Sequence, residues 1–439
     1  LGLRGGTLHY TWRREGGRFV KVVSLKDVFL DLWNVESGRP IRFKLRGKFL
    51  SNSENVALKG TFQIPFEHFH PNDFALKVQA DVNSLELSRL LAWWEARPSF
   101  QIEKGALSCS TQWIKSKGEE QLEVKGSFGV QQLIYQIPHK PQTSTPADYQ
   151  ARFQAEVDLA SGAARLKEAI FETPFGGPFH TEAKLNIFKA SIDEVFVKSN
   201  ALSLEMLPQY VLPFAEALPV NWGFSGETEL NFFAKGDPSL FMINLFADLT
   251  NTTFTYSKYF AKPAGIPFLL RGDMKLAAGR LLRGDFSMEF EKAVLKGSLV
   301  GLDLVTGEGE LTVLTNKFAI DGWEKYFPPL REFELAGGIK VLTSVRGNFN
   351  HLDTARMMNN ISLDHLEARA RNGAEIKNLS GSIDFGPLDS ELRDIQFKIG
   401  QTQFLIQGKM FRQPEPRWLT NVQTPKLDLK DFVPSLRKL

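Results

Sequence analysis

A five-residue pattern recurs along the chain: an apolar residue, a polar residue, glycine, a polar residue and an apolar residue. Its first copy is 45–49, Leu-Arg-Gly-Lys-Phe. Alternate side chains of a β-strand point to opposite faces, so the glycine shares a face with the two apolar residues. Because glycine weakens a strand interior, its repetition predicts either a bend or the close approach of another group to the backbone. The other copies are centred on Gly60, Gly126, Gly272, Gly284, Gly297, Gly381 and Gly408.

Alternation of apolar and polar residues extends the strand signal beyond this motif. It is clearest in 41–49, 74–82 and 153–159, with weaker versions along most of the chain. The pattern predicts roughly twenty strands. Few segments between them are long enough for a crossover helix, so we expect mostly antiparallel pairing. The predicted fold class is all-β with a few short helices.

A longer repeat is superimposed on the strands. Similar six-residue segments begin at Leu85, Leu202, Phe318 and Leu427, with spacings of 117, 116 and 109 residues. Each of the first three is followed by a short helical or proline-containing stretch, and a glycine then starts the next strand. One continuous array is therefore predicted, with approximate repeats 1–84, 85–201, 202–317 and 318–426, and with 427–439 beginning another.

Charge and motifs argue against several function classes. Lysine and arginine number 53 against 50 aspartate and glutamate, and no long basic block would neutralise a row of phosphates. The sequence contains no P-loop, dinucleotide-binding glycine motif, nucleophile elbow or metalloprotease motif. His68 and His70 come nearest to a metal site, but no third ligand is close in sequence. We therefore expect no nucleic acid partner, no metal, no cofactor and no enzymatic activity.

Membrane and redox signals are also sparse. No apolar run approaches the roughly 18 residues of a membrane-spanning helix, and the first thirty residues lack the apolar centre of a signal peptide. Because the sequence begins with Leu1 and stops at Leu439, we expect a fragment of a longer protein whose membrane anchor lies outside it. The single cysteine, Cys109, excludes an internal disulfide and is expected to be a small buried apolar group.

The residues alone leave two architectures open. Alternating strands can pack face to face in a sandwich, which explains most sequences of this kind. Against this, twenty strands exceed the roughly ten that an open sheet tolerates before it curls or splits. Curling at the glycines would form a groove whose inner face, rich in the chain's 36 phenylalanines, has no protein partner. Such a face usually marks a binding site, and acyl chains can fill an apolar groove without hydrogen bonds.

Residues 360–411 resemble the AsmA-type family of bacterial envelope proteins, which includes the TamB and YhdP groups. The resemblance is carried by the glycine strand 376–383 (Ile-Lys-Asn-Leu-Ser-Gly-Ser-Ile), the strand 392–397 and a second glycine strand, 403–410. Residues 259–299 and the four segments of the longer repeat are also similar to family features. The family's amino-terminal transmembrane helix and a recognisable carboxy-terminal end are absent, which fits a fragment.

The resemblance implies a repeating β-groove of the bridge-like lipid-transfer type: a long, twisted, mostly antiparallel sheet curled into an elongated hydrophobic groove. In this family an inner-membrane anchor holds the groove in the periplasm of a Gram-negative bacterium, and phospholipid is thought to move along it to the outer membrane. The family has no catalytic residues to carry over.

On this basis we expect non-enzymatic binding and transport of phospholipid acyl chains. The expected partners are phospholipids, the inner membrane through a segment outside this sequence, and an outer-membrane or periplasmic protein. The alternative is a periplasmic scaffold that assembles outer-membrane proteins through an edge strand, with closed apolar cores and no lipid. The side chains predicted to line the groove are Phe43, Leu45, Phe49, Phe62, Leu76, Val78, Phe153, Val157, Phe286, Met288, Phe290, Phe397 and Ile399.

Overall fold

The computed structural model describes residues 1–13, 20–36, 39–63, 74–93, 101–136, 144–189, 191–206, 222–237, 239–349, 351, 354–371, 373–386, 389–411 and 417–427. His68 and His70 lie outside the described residues, so their assignment stays untested.

The described residues form 26 β-strands, one seven-residue helix and two 3₁₀ turns, which confirms the predicted all-β class. Pairing is antiparallel, mostly between strands that follow one another in the chain, as expected from the short linkers. The chain divides into two compact units, which are described separately. Unit 1 covers 1–218 and 233–237, and unit 2 covers 219–232 and 238–439.

Unit 1 is an antiparallel sheet of consecutive strands with one short helix after the fifth. Its elements are β1 (Gly2–Arg13), β2 (Val20–Trp33), β3 (Ile41–Phe49), β4 (Val56–Gln63), β5 (Ala75–Glu86), α1 (Leu87–Trp93), β6 (Gln101–Lys115), β7 (Gln121–Gln136), β8 (Ala147–Asp158), β9 (Ala163–Thr173), β10 (Gly176–Asn186) and β11 (Ser191–Ser203).

Unit 2 has the same organisation, except that three short strands interrupt the order: β13 pairs directly with β16, and β19 pairs directly with β21. Its elements are β12 (Trp222–Asp237, of which 233–237 belong to unit 1), β13 (Leu240–Asp248), β14 (Thr252–Tyr256), β15 (Phe260–Lys262), β16 (Phe268–Ala277), β17 (Leu281–Phe290), β18 (Ala293–Asp303), β19 (Glu308–Thr315), β20 (Phe318–Ala319), the 3₁₀ turns η1 (Trp323–Lys325) and η2 (Pro328–Leu330), β21 (Phe333–Asn348), β22 (Arg356–Ala370), β23 (Glu375–Phe385), β24 (Asp389–Ile399), β25 (Thr402–Phe411) and β26 (Arg417–Gln423).

Register shifts interrupt many of the strand pairs, and several lie at residues other than glycine. Ser84, Gln132 and His365 have φ near +50° at such shifts. Their backbone N–H groups still form hydrogen bonds, because each donates to a side-chain oxygen of the adjacent strand. The Ser84 N–H, for example, donates to Ser108 Oγ at 3.1 Å. A bulge bends its strand and increases the local twist, so these positions contribute curvature that the glycine motif did not predict.

Three of the four segments that define the longer repeat begin at buried side chains. Leu85, Leu202 and Phe318 are all less than a tenth exposed, whereas Leu427 is exposed. Leu85 and Phe318 each pair with the residue two positions after a glycine of positive φ in the next strand. The first and third segments thus occupy equivalent places in their units, although the division into four repeats stays a prediction.

Fully buried apolar side chains are few and small. Of the 19 buried hydrophobic residues described, seven are alanine. The main cluster of larger ones lies in unit 2 around Phe318, Ile320 and Leu366, next to η1. Most of the large apolar side chains therefore lie elsewhere, on the sheet faces.

Candidate functional site

One face of the unit 1 sheet is apolar from β2 to β11. Directly opposed residues of an antiparallel pair carry their side chains on the same face, so the strand registers trace rows across the sheet. One such row crosses ten strands, and every member is apolar or glycine. It consists of Leu32, Phe43, Gly60, Val78, Trp113, Val124, Ala155, Leu166, Ala183 and Val195.

All eight groove residues predicted in unit 1 lie on this unit 1 apolar face. Phe43 and Val78 belong to the row itself. The other six lie in parallel rows on the same side: Leu45, Phe49, Phe62, Leu76, Phe153 and Val157. The rings of Phe43 and Phe62, on neighbouring strands, have centroids 5.8 Å apart.

Unit 2 has an apolar face of its own. One of its rows runs through seven strands, from β13 to β22. The row consists of Ile243, Met274, Gly284, Leu299, Leu311, Val345 and Met357.

The five predicted groove residues of unit 2 lie on this unit 2 apolar face. Phe286, Met288 and Phe290 alternate along β17, in phase with Gly284 of the row. Beyond β22 the face continues through Ile383 and other apolar side chains of β23–β25. Phe397 and Ile399 lie there, and the Phe397 ring stacks on that of Phe404 with a centroid distance of 5.1 Å.

Twelve of the thirteen predicted groove side chains are half-buried. Neighbours on the same face cover their flanks, which accounts for the buried part. The inner face of a sandwich would be fully covered by its second sheet. Half-burial is the exposure expected of a sheet face without a second layer, and the most exposed member of the unit 1 row, Trp113, is 40% accessible. The structure therefore favours the open face over the sandwich.

Phe290 is the exception, because it is buried in an aromatic cluster. Its ring centroid lies 5.0 Å from that of Tyr326, 5.6 Å from Trp323 and 5.7 Å from Phe268. Trp323 belongs to η1 and Tyr326 follows it directly, so this segment packs on one end of the unit 2 apolar face. Phe290 contributes to a closed core and not to the open part of the face.

A charged group holds the η1 segment next to β17. The Tyr326 hydroxyl donates to Glu291 Oε1, and Lys325 Nζ bonds the same oxygen at 2.9 Å. Burial opposes ionisation of Glu291, but the hydrogen bonds from Tyr326 and Lys325 outweigh it and lower the pKa of this carboxyl below its ordinary 4.5. Burial and the nearby carboxylate raise the pKa of Tyr326.

Seven of the eight motif glycines, all except Gly272, lie where a neighbouring group takes the space of a side chain. A Cβ added to Gly126 would lie 2.8 Å from the carbonyl oxygen of Ser110 and 3.0 Å from Cζ of Phe153. A Cβ added to Gly297 would overlap the ring of Phe286. The close approach predicted for these glycines is thus made by groups of the sheet itself.

Cys109 lies on the unit 1 apolar face, opposite Val82 on one side and Phe128 on the other. Its expected burial is only partial, because the face is open and the residue is half-buried. Burial still raises the pKa of the thiol. Cys109, the chain's one cysteine, is therefore a half-buried residue in the middle of the unit 1 apolar face.

Among the residues that the structure describes, two lysines are buried, and backbone oxygens accept hydrogen bonds from both. Lys262 Nζ donates to the carbonyl oxygen of Thr252 at 2.6 Å, and Lys115 Nζ donates to that of Phe74 at 3.0 Å. Burial lowers the pKa of Lys262. Neither ammonium group is presented to a ligand on the apolar faces.

The described residues form neither a metal cluster nor a membrane-spanning helix. They bring together no group of three His, Cys, Asp or Glu that would hold a metal ion. A shallow depression of unit 1 lies mainly on the polar face and is lined by residues such as Gln112, Lys125 and Gln154. Within the described part of the chain, no helix has the length and apolar character needed to span a bilayer.

Sequence reasoning missed the part of the unit 1 face formed by β9–β11, where Phe171, Phe179 and Val195 continue it. Register shifts in all three of these strand pairs break the alternation, so strict period two does not detect these strands. A search that allows one extra residue within each strand would have found them.

Comparison with known proteins adds no relative: no protein-family model, no curated protein and no solved structure matches the chain.

Proposed function

We propose that the chain binds phospholipid acyl chains on its apolar faces and carries phospholipid between the inner and outer membranes of a bacterial envelope, without catalysis. The observation that supports this most directly is the unit 1 row, in which ten consecutive strands present apolar or glycine positions on one open face. An open face of this size on a protein surface usually marks a binding site.

A hydrocarbon tail suits the unit 1 apolar face because neither the tail nor the apolar side chains need hydrogen bonds. Burying apolar surface stabilises by about 25 cal/mol per Å². Strands lie about 4.8 Å apart, so ten strands span about 43 Å, whereas the tails of one leaflet span about 15 Å of a ~30 Å hydrocarbon core. The face is therefore longer than one tail. Successive strands also present similar side chains, so a tail meets no single strongly preferred position, which favours movement along the row.

Selectivity for headgroups is expected to be loose. The apolar faces bind the tails, and Lys115 and Lys262, the buried cations among the described residues, already donate to backbone carbonyls. A headgroup would stay in water at the border of the face. In the same proposal the protein works in the periplasm, held at the inner membrane by a segment outside this sequence; the resemblance of the glycine strands to the AsmA-type family supports this location.

The proposal is tested by placing charge on the open part of the unit 2 face. Phe286→Asp combined with Met288→Asp puts two carboxylates where tails would lie, and we expect phospholipid transfer from donor to acceptor vesicles to fall at least tenfold. Phe290 is left unchanged, because its burial makes Phe290→Asp a folding mutation.

The matched control is Ser287→Asp combined with Thr312→Asp, which adds the same charge to the polar face of β17 and β19. This control should transfer lipid at the normal rate, and circular dichroism should show both variants folded. Normal transfer by the folded Phe286/Met288 variant, or purified protein without bound phospholipid in native mass spectrometry, would contradict the proposal.

One observation favours the scaffold alternative. β26 pairs with β25 alone among the described strands, and its Trp418, Leu419 and Val422 are more than half exposed. An exposed strand edge can add a strand from another protein. Lipid-free protein that still bound a β-strand partner would support this function over lipid transport.

A further inference from the structure

Four basic side chains form a patch on the polar face of β3–β5. Lys44 lies directly opposite Lys59, while Arg42 and Lys77 both lie opposite Thr61, one pair further along. All four are exposed. Directly opposed side chains have Cβ atoms about 5 Å apart and diagonal ones about 7–8 Å, so Lys59 lies within a Debye length of about 8–10 Å of each of the other three. These four residues are called the cationic patch.

None of the four members of the cationic patch forms an ion pair within the described part of the chain. Asp31 lies opposite Lys44 on β2, but its carboxylate bonds Arg4 at 2.7 Å. The flanking basic residues differ, since Lys48 bonds Asp27 at 2.8 Å and Arg46 lies 3.7 Å from Glu54. The patch is thus an excess of positive charge on a chain whose overall charge is nearly balanced.

A like-charged pair elsewhere in unit 1 is compensated. Glu123 and Glu156 oppose each other on β7 and β8, but Lys125 lies 2.9 Å from Glu123, and Lys167 pairs with Glu156. Directly opposed like charges destabilise a sheet. Lys44 and Lys59 have no ion pair of their own, and Arg4 already neutralises the nearby Asp31, so their repulsion has a cost in the free protein that an anionic partner would remove.

Exposed apolar side chains border the cationic patch. Trp33 lies directly opposite Arg42 and is 48% exposed, and Val35, two residues further on, is 57% exposed. Tryptophan beside basic residues is typical of the membrane–water interface, where the ring lies among headgroups and the cations meet phosphate. A broad sheet face is also suited to a flat surface, whereas a nucleic acid strand is usually held in a groove with stacked aromatic rings.

We propose that the cationic patch docks unit 1 on an anionic lipid surface through headgroup phosphates. Phe43 and Val78 project from the other side of the same strands, so headgroup docking and tail binding use opposite faces. The two proposals are independent, and either one can fail alone.

The experiment measures flotation of the full chain with vesicles. Wild-type protein should float with vesicles of phosphatidylethanolamine and phosphatidylglycerol, but not with phosphatidylcholine alone. Binding should weaken as salt rises from about 0.1 M to about 1 M, where the Debye length falls to about 3 Å. The variant Arg42→Gln, Lys44→Gln, Lys59→Gln and Lys77→Gln should bind anionic vesicles about 600-fold more weakly, at about fivefold per cation.

The matched control removes four exposed basic residues of unit 2 that do not oppose one another: Arg283→Gln, Lys296→Gln, Lys340→Gln and Lys398→Gln. It has the same net charge as the patch variant and should keep wild-type vesicle binding. Equal loss in both variants, equal binding to phosphatidylcholine, or binding of the wild type to heparin or DNA without binding to anionic vesicles would each overturn the proposal.

Discussion

At the residue scale, the glycine of the recurring motif is explained by what lies over it. The sequence predicted a bend or a close approach, and the structure shows approach by groups of the sheet, such as the Phe286 ring over Gly297. Position 297 must be small because a large residue lies directly opposite it on β17. The pattern identified which face the glycine is on. Which residue of the next strand lies opposite the glycine depends on strand register, and register cannot be predicted from the sequence of one strand.

Gly297→Ala should therefore destabilise the protein by about 1–3 kcal/mol through overpacking against Phe286. In the background of Phe286→Ala the same substitution should cost almost nothing, a coupling of about 1 kcal/mol or more in a double-mutant cycle measured by urea unfolding.

Gly272→Ala provides the control, since a Cβ there would meet its nearest atom at an ordinary 3.6 Å. Additive effects of Gly297→Ala and Phe286→Ala would show that the ring does not occupy the space over the glycine.

At the element scale, strands were predictable wherever alternation is unbroken and were missed where bulges interrupt it. The strand 41–49 was predicted with bounds identical to β3. In β9, by contrast, Leu166 and Ala169 lie on the same face although they are three residues apart, because a register shift intervenes. For the 3₁₀ segment η1, the sequence predicted only a short helical or proline-containing stretch after the segment that begins at Phe318. Its aromatic packing on Phe290 depends on contacts between residues more than thirty positions apart.

The contact between η1 and β17 predicts a pH dependence. The pKa of Glu291 is lowered in the folded state, so its contribution to stability is present at neutral pH and is lost as pH falls below about 4.5 and through the folded pKa. Glu291→Gln should lower stability by about 1–3 kcal/mol at pH 7 and flatten the fall in stability between about pH 5 and pH 3.

Thermal unfolding followed by circular dichroism across this pH range is the measurement. Glu308→Gln, which removes one exposed carboxylate of the same unit, is the control. A Glu291→Gln variant whose stability fell with acid as steeply as the wild type would exclude this role.

At the scale of the whole molecule, composition hides the features that matter most. A near balance of 53 basic and 50 acidic residues gave no hint of a charged surface, yet alternation gathers Arg42, Lys44, Lys59 and Lys77 on one side of three strands. Likewise, all thirteen predicted groove residues lie on the two apolar faces, because period two alone assigns a face within each strand. Alternation could not predict the burial of Phe290, because that burial comes from η1, which covers only one end of the unit 2 apolar face.

Open sheets of this kind also have consequences for cooperativity. Along most of β2–β11, each strand contacts chiefly the strands on either side of it, and among the residues that the structure describes no second layer ties distant strands together. Stability then approximates a sum of nearest-neighbour terms, as in a linear repeat protein. Native-state hydrogen exchange should show opening free energies that rise gradually from the edge strands inward, instead of one value shared by all slow amides. A single common value within a unit would mean that its strands unfold together.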